Sequence, residues 1–124
     1  MRITLTTTGR RSGMARAVEL YAFPDGDGLV VTGSWGGAAR HPAWAINLRA
    51  EPMAQVKRGR QVIDVVAREA AGHERDRLWR LVSEAFPMYE SYQRRTARRF
   101  PIFVLEPRAT HAVRVSAGRR RGAR

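Results

Sequence analysis

The turn Gly9–Gly13 (GRRSG) is the first stretch whose residue types could bind a small molecule; three threonines precede it and Arg16 follows it. Adjacent guanidinium groups present forked donors that match phosphate or carboxylate oxygens, and glycines leave backbone amides exposed. The stretch could therefore bind a phosphate or a carboxylate. On composition alone, a solvated hairpin tip is the commoner meaning of so short a motif.

A second stretch, residues 32–44 (TGSWGGAARHPAW), places small residues directly after a predicted strand. Small residues let a flat heterocycle approach the backbone, and Ser34 adds a short hydroxyl donor. Arg40 and His41 could meet an anion there. Trp44 could stack on a ligand or wall a pocket, although for Trp44 alone packing in the core is the better interpretation.

The third stretch is FPMYESYQ, in which Tyr89 and Tyr92 are three residues apart. On a helix that spacing puts both phenols on one face. A phenol can donate a proton to a substrate oxygen or line a pocket. Aromatic packing beneath a helix end explains the same residues equally well.

Several catalytic classes lack their residues in this sequence. There is no cysteine, and the three histidines are widely separated, without metal-ligand spacing. No GxxxxGK[ST] or GxGxxG occurs, and Thr32 breaks the GxSxG pattern around Ser34. An enzyme built from these residues would therefore take its reactive atoms from an organic cofactor. The lack of cysteine favours the cytoplasm, and no apolar run is long enough to span a membrane.

The net charge of +12 on 124 residues suggests an anionic partner, but its distribution is uneven. Residues 108–124 contain six arginines and no acidic residue. We expect one domain over residues 1–107 and a flexible basic tail over 108–124. Weak attraction of this tail to acidic lipid, and so peripheral membrane contact, is one consequence of its charge. Aromatic and basic residues do not interleave on the predicted strands, so we expect no nucleic-acid partner.

The alternation of apolar residues, the turns and the prolines predict an α+β fold. Strands are expected at 2–8, 14–23, 29–34, 55–57, 61–67 and 101–106, and helices at 42–50, 73–86 and 88–97. About six mainly antiparallel strands imply a small barrel with helices on one side. The first three strands, joined by tight turns, are expected to form an antiparallel meander.

The order of the motifs is more specific than any one of them. TTTGRRSG, TGSWGGAARHPAWAINLRAEP, ERDRLW and FPMYESYQRRTARRFPIFVLEP follow one another over residues 3–107. This series resembles the deazaflavin (F420)-dependent nitroreductases and F420H2-dependent quinone reductases. The resemblance implies a split β-barrel, related to that of proteins that bind flavin mononucleotide, and coenzyme F420 as the cofactor.

The resemblance also implies roles for individual residues. Phe86, Tyr89 and Tyr92 match aromatic positions of the acceptor pocket. Tyr89 or Tyr92 would donate the proton, with bound water as the alternative. The residues that match the family's cofactor site are Arg10, Arg11, Ser12, Arg16, Gly33, Ser34, Trp35, Gly36, Gly37, His41, Trp44 and Asn47.

The resemblance implies an oxidoreductase that passes a hydride from reduced F420 to an electron-poor acceptor, such as a quinone, a nitro compound or an activated enone. Alternatives are a reductase that binds flavin mononucleotide and an F420 carrier without turnover. The sequence departs from its relatives at Trp35, where a smaller or basic residue is usual, and at Glu19, which would alter the charge of the pocket. Many relatives also have a helical extension before the first strand, whereas in this sequence the first strand is expected to begin at residue 2.

Overall fold

Seven strands form one antiparallel sheet in the computed structural model, which describes residues 1–34 and 41–108. The sheet curls into a half-barrel, and within the described residues its strand order is β2-β1-β5-β6-β7-β4-β3. The strands are β1 (Arg2–Thr8), β2 (Ala15–Tyr21), β3 (Phe23–Asp25), β4 (Gly28–Thr32), β5 (Met53–Arg58), β6 (Gln61–Glu69) and β7 (Ile102–Pro107).

Three helices pack on this sheet: α1 (Ala43–Ala50), α2 (Gly72–Ala85) and α3 (Met88–Arg94). Pro42 directly precedes α1, and Pro87 separates α2 from α3, as expected of a residue that lacks a backbone N–H. Gly72 begins α2 with a φ of 60°. None of the helices in the described residues is long and apolar enough to cross a membrane.

Strands β4 and β7 are buried on both faces, which explains their unbroken apolar sequence. Val31, Phe103 and Leu105 join one core cluster with Trp44, Ala45 and Leu48 of α1. Val30, Ile102 and Val104 point the opposite way and join a second cluster with Leu78 and Val82 of α2. The helices therefore cover both faces of this part of the sheet, and the expectation of helices on one side only is wrong.

The α+β class, the antiparallel pairing and the three helices are confirmed, whereas the meander is wrong. The predicted strand 14–23 ends at Tyr21, and the buried Ala22 donates its N–H to the carbonyl of Met1 at 2.7 Å. Phe23–Asp25 then pairs with β4 as a separate, seventh strand. Since β4 is buried on both faces, it lies beside β7 rather than beside β2, which is at the opposite end of the strand order.

Candidate functional site

The arginine-rich turn joins β1 to β2 and is fixed by its own backbone. Gly9 donates to the carbonyl of Met14 at 2.8 Å, and Gly13 donates to the carbonyl of Gly9 at 2.8 Å. The φ of Gly13 is 72°, in the left-handed region that glycine adopts without strain. Ser12 accepts a hydrogen bond from the N–H of Met14 through Oγ at 3.1 Å, so its hydroxyl hydrogen can still donate elsewhere.

Asn47 of α1 ties this turn to the rest of the fold. Its side chain is buried, its Nδ2 donates to Oγ1 of Thr7, and its Oδ1 accepts from the backbone N–H of Arg10, each at 3.1 Å. One amide thus holds both the end of β1 and the position of the first arginine. The resemblance marked Asn47 as a contact residue of the cofactor; the structure adds that it orders the turn.

We call the larger of two neighbouring cavities the arginine cavity; its volume is about 380 Å³. Its described lining residues are Thr7, Gly9, Arg10, Arg11, Ser12, Arg16, Ala17, Val18, Ala43, Trp44 and Asn47. Within the described residues, its three arginines form no salt bridge, while those at positions 2, 49, 68 and 77 all pair with carboxylates. The cavity therefore offers three exposed guanidinium groups to an anion.

A second cavity of about 340 Å³ adjoins the first, and we call it the tyrosine cavity. Val18 and Trp44 line both cavities. The remaining described lining residues of the tyrosine cavity are Leu20, Tyr21, Thr32, Ser34, Pro42 and Tyr89. Trp44 also packs edge-on against Phe103 at 6.1 Å, so it is both a core residue and a pocket wall. The two cavities together suit a ligand with an anionic end and a flat, apolar end.

The two candidate tyrosines have different surroundings. Tyr89 lines the tyrosine cavity and is about half-buried, and burial raises the pKa of its phenol, so it keeps its proton at neutral pH. Tyr92 is not among the lining residues; its hydroxyl donates to Sδ of Met88 at 3.5 Å on the same helix. The structure thus brings Tyr89, and not Tyr92, to the other candidate residues.

Phe86 supports this wall without lining the cavity. Its ring packs edge-on against Tyr21 at 5.0 Å and against Tyr89 at 5.9 Å. Tyr21 itself lines the cavity, a role that the sequence did not indicate, since this residue only fell within the predicted strand 14–23. The pairing of Tyr21 with an aromatic residue 65 positions later is a tertiary contact that no local pattern signals.

Glu19, which the sequence comparison expected to alter the charge of the pocket, lies outside the walls of both cavities. Its carboxylate pairs with Arg2 at 2.7 Å, both side chains are exposed, and it lines neither cavity. Its neighbours Val18 and Leu20 are partly buried and line the cavities, whereas Glu19 between them is exposed.

Gly33, Ser34 and His41 are the described ends of the predicted glycine-rich site; Trp35, Gly36 and Gly37 lie outside the described residues. A Cβ on Gly33 would come within 2.8 Å of the Pro101 side chain, so the absence of a side chain there permits packing. Ser34 lines the tyrosine cavity. His41 lines neither cavity and instead contacts Arg98.

Arg98 is a residue that the sequence reasoning missed altogether. Its Nη1 donates to the carbonyl of Gly33 at 2.8 Å, and its Nη2 donates to the carbonyl of Ser34 at 2.7 Å. Its Nη1 also lies 3.0 Å from Nδ1 of His41. One guanidinium from the α3–β7 connection thus reaches both sides of the stretch that follows β4. In sequence it stood among several arginines with nothing to distinguish it.

A model of the F420H(2)-dependent quinone reductase family matches residues 1–107. Among curated proteins, an F420H(2)-dependent quinone reductase of Mycobacterium tuberculosis is 36% identical over 109 residues, which cover 86% of this chain and 73% of that protein.

Solved structures agree with this match. The structure of an F420-H2 dependent reductase, FDR-A, is 39% identical with a TM-score of 0.76, covering 85% of this chain and 93% of that one. HutZ, the heme storage protein of Vibrio cholerae, is 15% identical with a TM-score of 0.66, covering 86% of this chain and 81% of that one. At this identity the similarity supports a shared fold only. The split β-barrel predicted from the sequence is confirmed.

Proposed function

Since this chain belongs to the F420H(2)-dependent quinone reductase family, we propose that it reduces a quinone with F420H2 bound across the arginine and tyrosine cavities. An F420-dependent oxidoreductase is the class that the family and its relatives establish, and coenzyme F420 is the cofactor. The quinone as acceptor and the residues assigned to each part of the ligand are the proposal.

The observation that carries the assignment is the set of three guanidinium groups lining one cavity without acidic partners among the described residues. Coenzyme F420 has a phosphate and an acidic tail, and both need cationic or N–H donors. Arg10, Arg11 and Arg16 would hold these anions, with the hydroxyl of Ser12 as a further donor. Asn47 would keep the turn in place by fixing the N–H of Arg10.

The tyrosine cavity suits the ring system and the acceptor. Trp44 and Val18 line both cavities, so a ligand whose tail occupies the arginine cavity would place its flat part beside them. Ser34 supplies a polar group in the wall. Oγ1 of Thr32, also in this wall, is buried without a hydrogen-bond partner among the described residues.

Reduced F420, when bound, supplies the hydride equivalent. Reduction of a quinone to a hydroquinone consumes one hydride and one proton, so a proton must reach the acceptor oxygen. Tyr89, protonated at neutral pH and in the cavity wall, would donate that proton and recover one from water. The remaining contribution of the chain is to orient ring and acceptor, which can lower a barrier by roughly 7–11 kcal/mol in ideal cases.

Titration of the purified protein with oxidised F420, flavin mononucleotide and an oligonucleotide tests the assignment. Flavin mononucleotide has one phosphate and no acidic tail, so it would engage fewer of the three arginines. We expect the tightest binding for F420, and a loss of about 100-fold when Arg10 and Arg11 are both replaced by Ala, because two charge-assisted contacts disappear.

The matched control replaces Arg60 and Arg80 by Ala. Both residues are exposed, and neither lines either cavity. This variant has the same net charge as the Arg10 and Arg11 double variant but should bind F420 within about twofold of wild type. Equal losses in both variants would mean that only overall charge matters. No F420 binding by wild type would contradict the proposal. If wild type binds F420, oxidation of F420H2 with menadione distinguishes a reductase from a carrier.

The basic tail is proposed to lie outside the cofactor site. Residue 108 is the last described residue; its N–H donates to the carbonyl of Asp64, and it lines a separate cavity with Thr8 and Gly13. The arginines that line the arginine cavity all precede the tail, so deleting residues 109–124 should leave the affinity for F420 unchanged within about twofold. A large loss would show that the tail contributes charge to the site.

A further inference from the structure

Arg98 has an unusual position for a residue that lines neither cavity. It lies between α3 and β7, is partly buried, and its guanidinium carbon is 4.7 Å from the centre of the Phe100 ring. From there it donates to the carbonyls of Gly33 and Ser34 and meets the imidazole of His41. These three residues are the described ends of the stretch that follows β4, and Ser34 is itself a wall of the tyrosine cavity.

We propose that Arg98 is a positioning residue for cofactor binding, which sets the backbone of Ser34 and the place of His41 beside the tyrosine cavity. The inference rests on the proposed function, since it takes F420 as the ligand of that cavity. Arg98 would act through these two residues and not by contact with the ligand.

The contacts require a planar fork. Nη1 and Nη2 serve two successive carbonyls at 2.8 and 2.7 Å, which fixes the direction of the peptide between them. A lysine ammonium provides the same charge as a point donor, without the two parallel N–H vectors or the flat face that covers Phe100. Geometry, and not charge alone, should therefore determine the effect of a substitution.

The contact with His41 fixes the protonation of that imidazole. A guanidinium only donates, so Nδ1 of His41 accepts and the ring hydrogen is on Nε2. Burial and the positive charges of Arg49 and Arg98 lower the pKa of His41, while Glu69 acts in the opposite direction. Protonation would remove the acceptor and place a cation beside Arg98, so acid should weaken this contact.

The first test compares Arg98→Met and Arg98→Lys with Arg99→Met and Arg99→Lys. Arg99 is the exposed neighbour and lines neither cavity, so it controls for charge and for position in the chain. Both Arg98 variants should bind F420 about tenfold more weakly, the scale of one lost charge-assisted hydrogen bond, and both Arg99 variants should match wild type. Circular dichroism and the melting temperature show whether each variant folds.

The second test needs no ligand. The ring proton signals of the three histidines are titrated by NMR in the free protein, with His41→Gln used for assignment. In Arg98→Met the pKa of His41 should rise because a neighbouring positive charge is gone. A role limited to overall stability would not move one histidine selectively.

The third test is the pH dependence of F420 affinity. As the pH falls below about 6.5, the ordinary pKa of histidine, wild type should lose more affinity than His41→Gln, whose amide oxygen can accept from Arg98 at every pH. Titration of F420 itself is common to both proteins and cancels in their ratio.

The inference is overturned if folded Arg98→Met binds F420 within twofold of wild type, or if Arg98→Lys restores full affinity. It is also overturned if the pKa of His41 is the same with and without Arg98. Failure of wild type to bind F420 would instead overturn the proposed function and, with it, the role in cofactor binding, while the NMR titration would still decide whether Arg98 holds His41.

Discussion

The arginine cavity and the tyrosine cavity share Val18 and Trp44, yet the chain builds them in different ways. The arginine cavity is formed by one hairpin, residues 7–18, and one helix segment, residues 43–47. The tyrosine cavity draws its walls from β2, β4, the start of α1 and α3, over positions 18 to 89. A short contiguous motif can encode the first, whereas only the folded sheet brings the second together.

This difference predicts different sensitivities. In the arginine cavity, one buried amide holds a local turn, so a change at that amide should affect stability and binding together. In the tyrosine cavity, the walls are fixed by aromatic packing among Tyr21, Phe23, Phe86 and Tyr89. Removal of a single hydroxyl there should change chemistry while leaving the fold intact.

Asn47→Ala should have the largest effect. It removes the acceptor of the Arg10 N–H and leaves Thr7 without its donor, so we expect a loss of about 1–3 kcal/mol in the free energy of unfolding. F420 affinity should fall in the same variant. Thr7→Val keeps the hydrogen bond between Asn47 and the N–H of Arg10, so this control should retain most of the affinity. Equal affinity losses in Asn47→Ala and Thr7→Val would mean that the bond to Arg10 is not what supports binding.

Tyr89→Phe should reduce turnover with F420H2 and menadione by about tenfold or more, because the proposed proton donor is lost. F420 affinity should change little. Tyr92→Phe is the matched control on the same helix, since its hydroxyl faces Met88, and its turnover should equal that of wild type. A larger defect in Tyr92→Phe than in Tyr89→Phe would exchange the two roles.

The dependence of stability on pH should report on two ion pairs, Arg49–Glu69 and Arg77–Asp25. Arg49 lowers the pKa of Glu69, and Arg77 lowers the pKa of Asp25, so each carboxylate stabilises the folded state above its unfolded pKa. That stability is lost as the pH falls below about 4.5 through the lower folded pKa. Both pairs are exposed to solvent, so the contribution of each should be small.

The variants Glu69→Gln and Asp25→Asn separate these contributions. Glu69 fastens α1, which carries Asn47 and Trp44, while Asp25 fastens the β3–β4 hairpin to α2. Unfolding measured against pH should show a shallower acid loss in each variant than in wild type. An unchanged acid slope in Glu69→Gln would mean that this pair does not stabilise α1.

Thr32→Val should have the smallest effect on the free protein. Oγ1 of Thr32 is buried without a partner among the described residues, so its replacement by a methyl group should leave the melting temperature unchanged or slightly raise it. A fall in F420 affinity in the same variant would assign the hydroxyl to the ligand. A clear loss of stability without ligand would show that this hydroxyl is bonded within the fold.

The sequence predicted the elements far better than their arrangement. The α1 and α2 helices begin and end within one residue of their expected limits because proline, glycine and apolar spacing are local signals. The meander failed because the choice of neighbour for β4 depends on burial of both its faces, which involves β7 more than 70 residues later. The sequence alone favoured a core position for Trp44 over a pocket wall, and in the fold this residue is both.

For the candidate site, the sequence by itself indicated the cluster of arginines, the turn that exposes them and the family to which the chain belongs. Only the tertiary structure shows that Tyr89 and Tyr21 line the tyrosine cavity and that Arg98 contacts Ser34 and His41. The physical reason is range. Turn geometry and charge clusters arise between neighbours in sequence, whereas a cavity wall and a guanidinium that meets residues 57 to 65 positions away exist only once the sheet has formed.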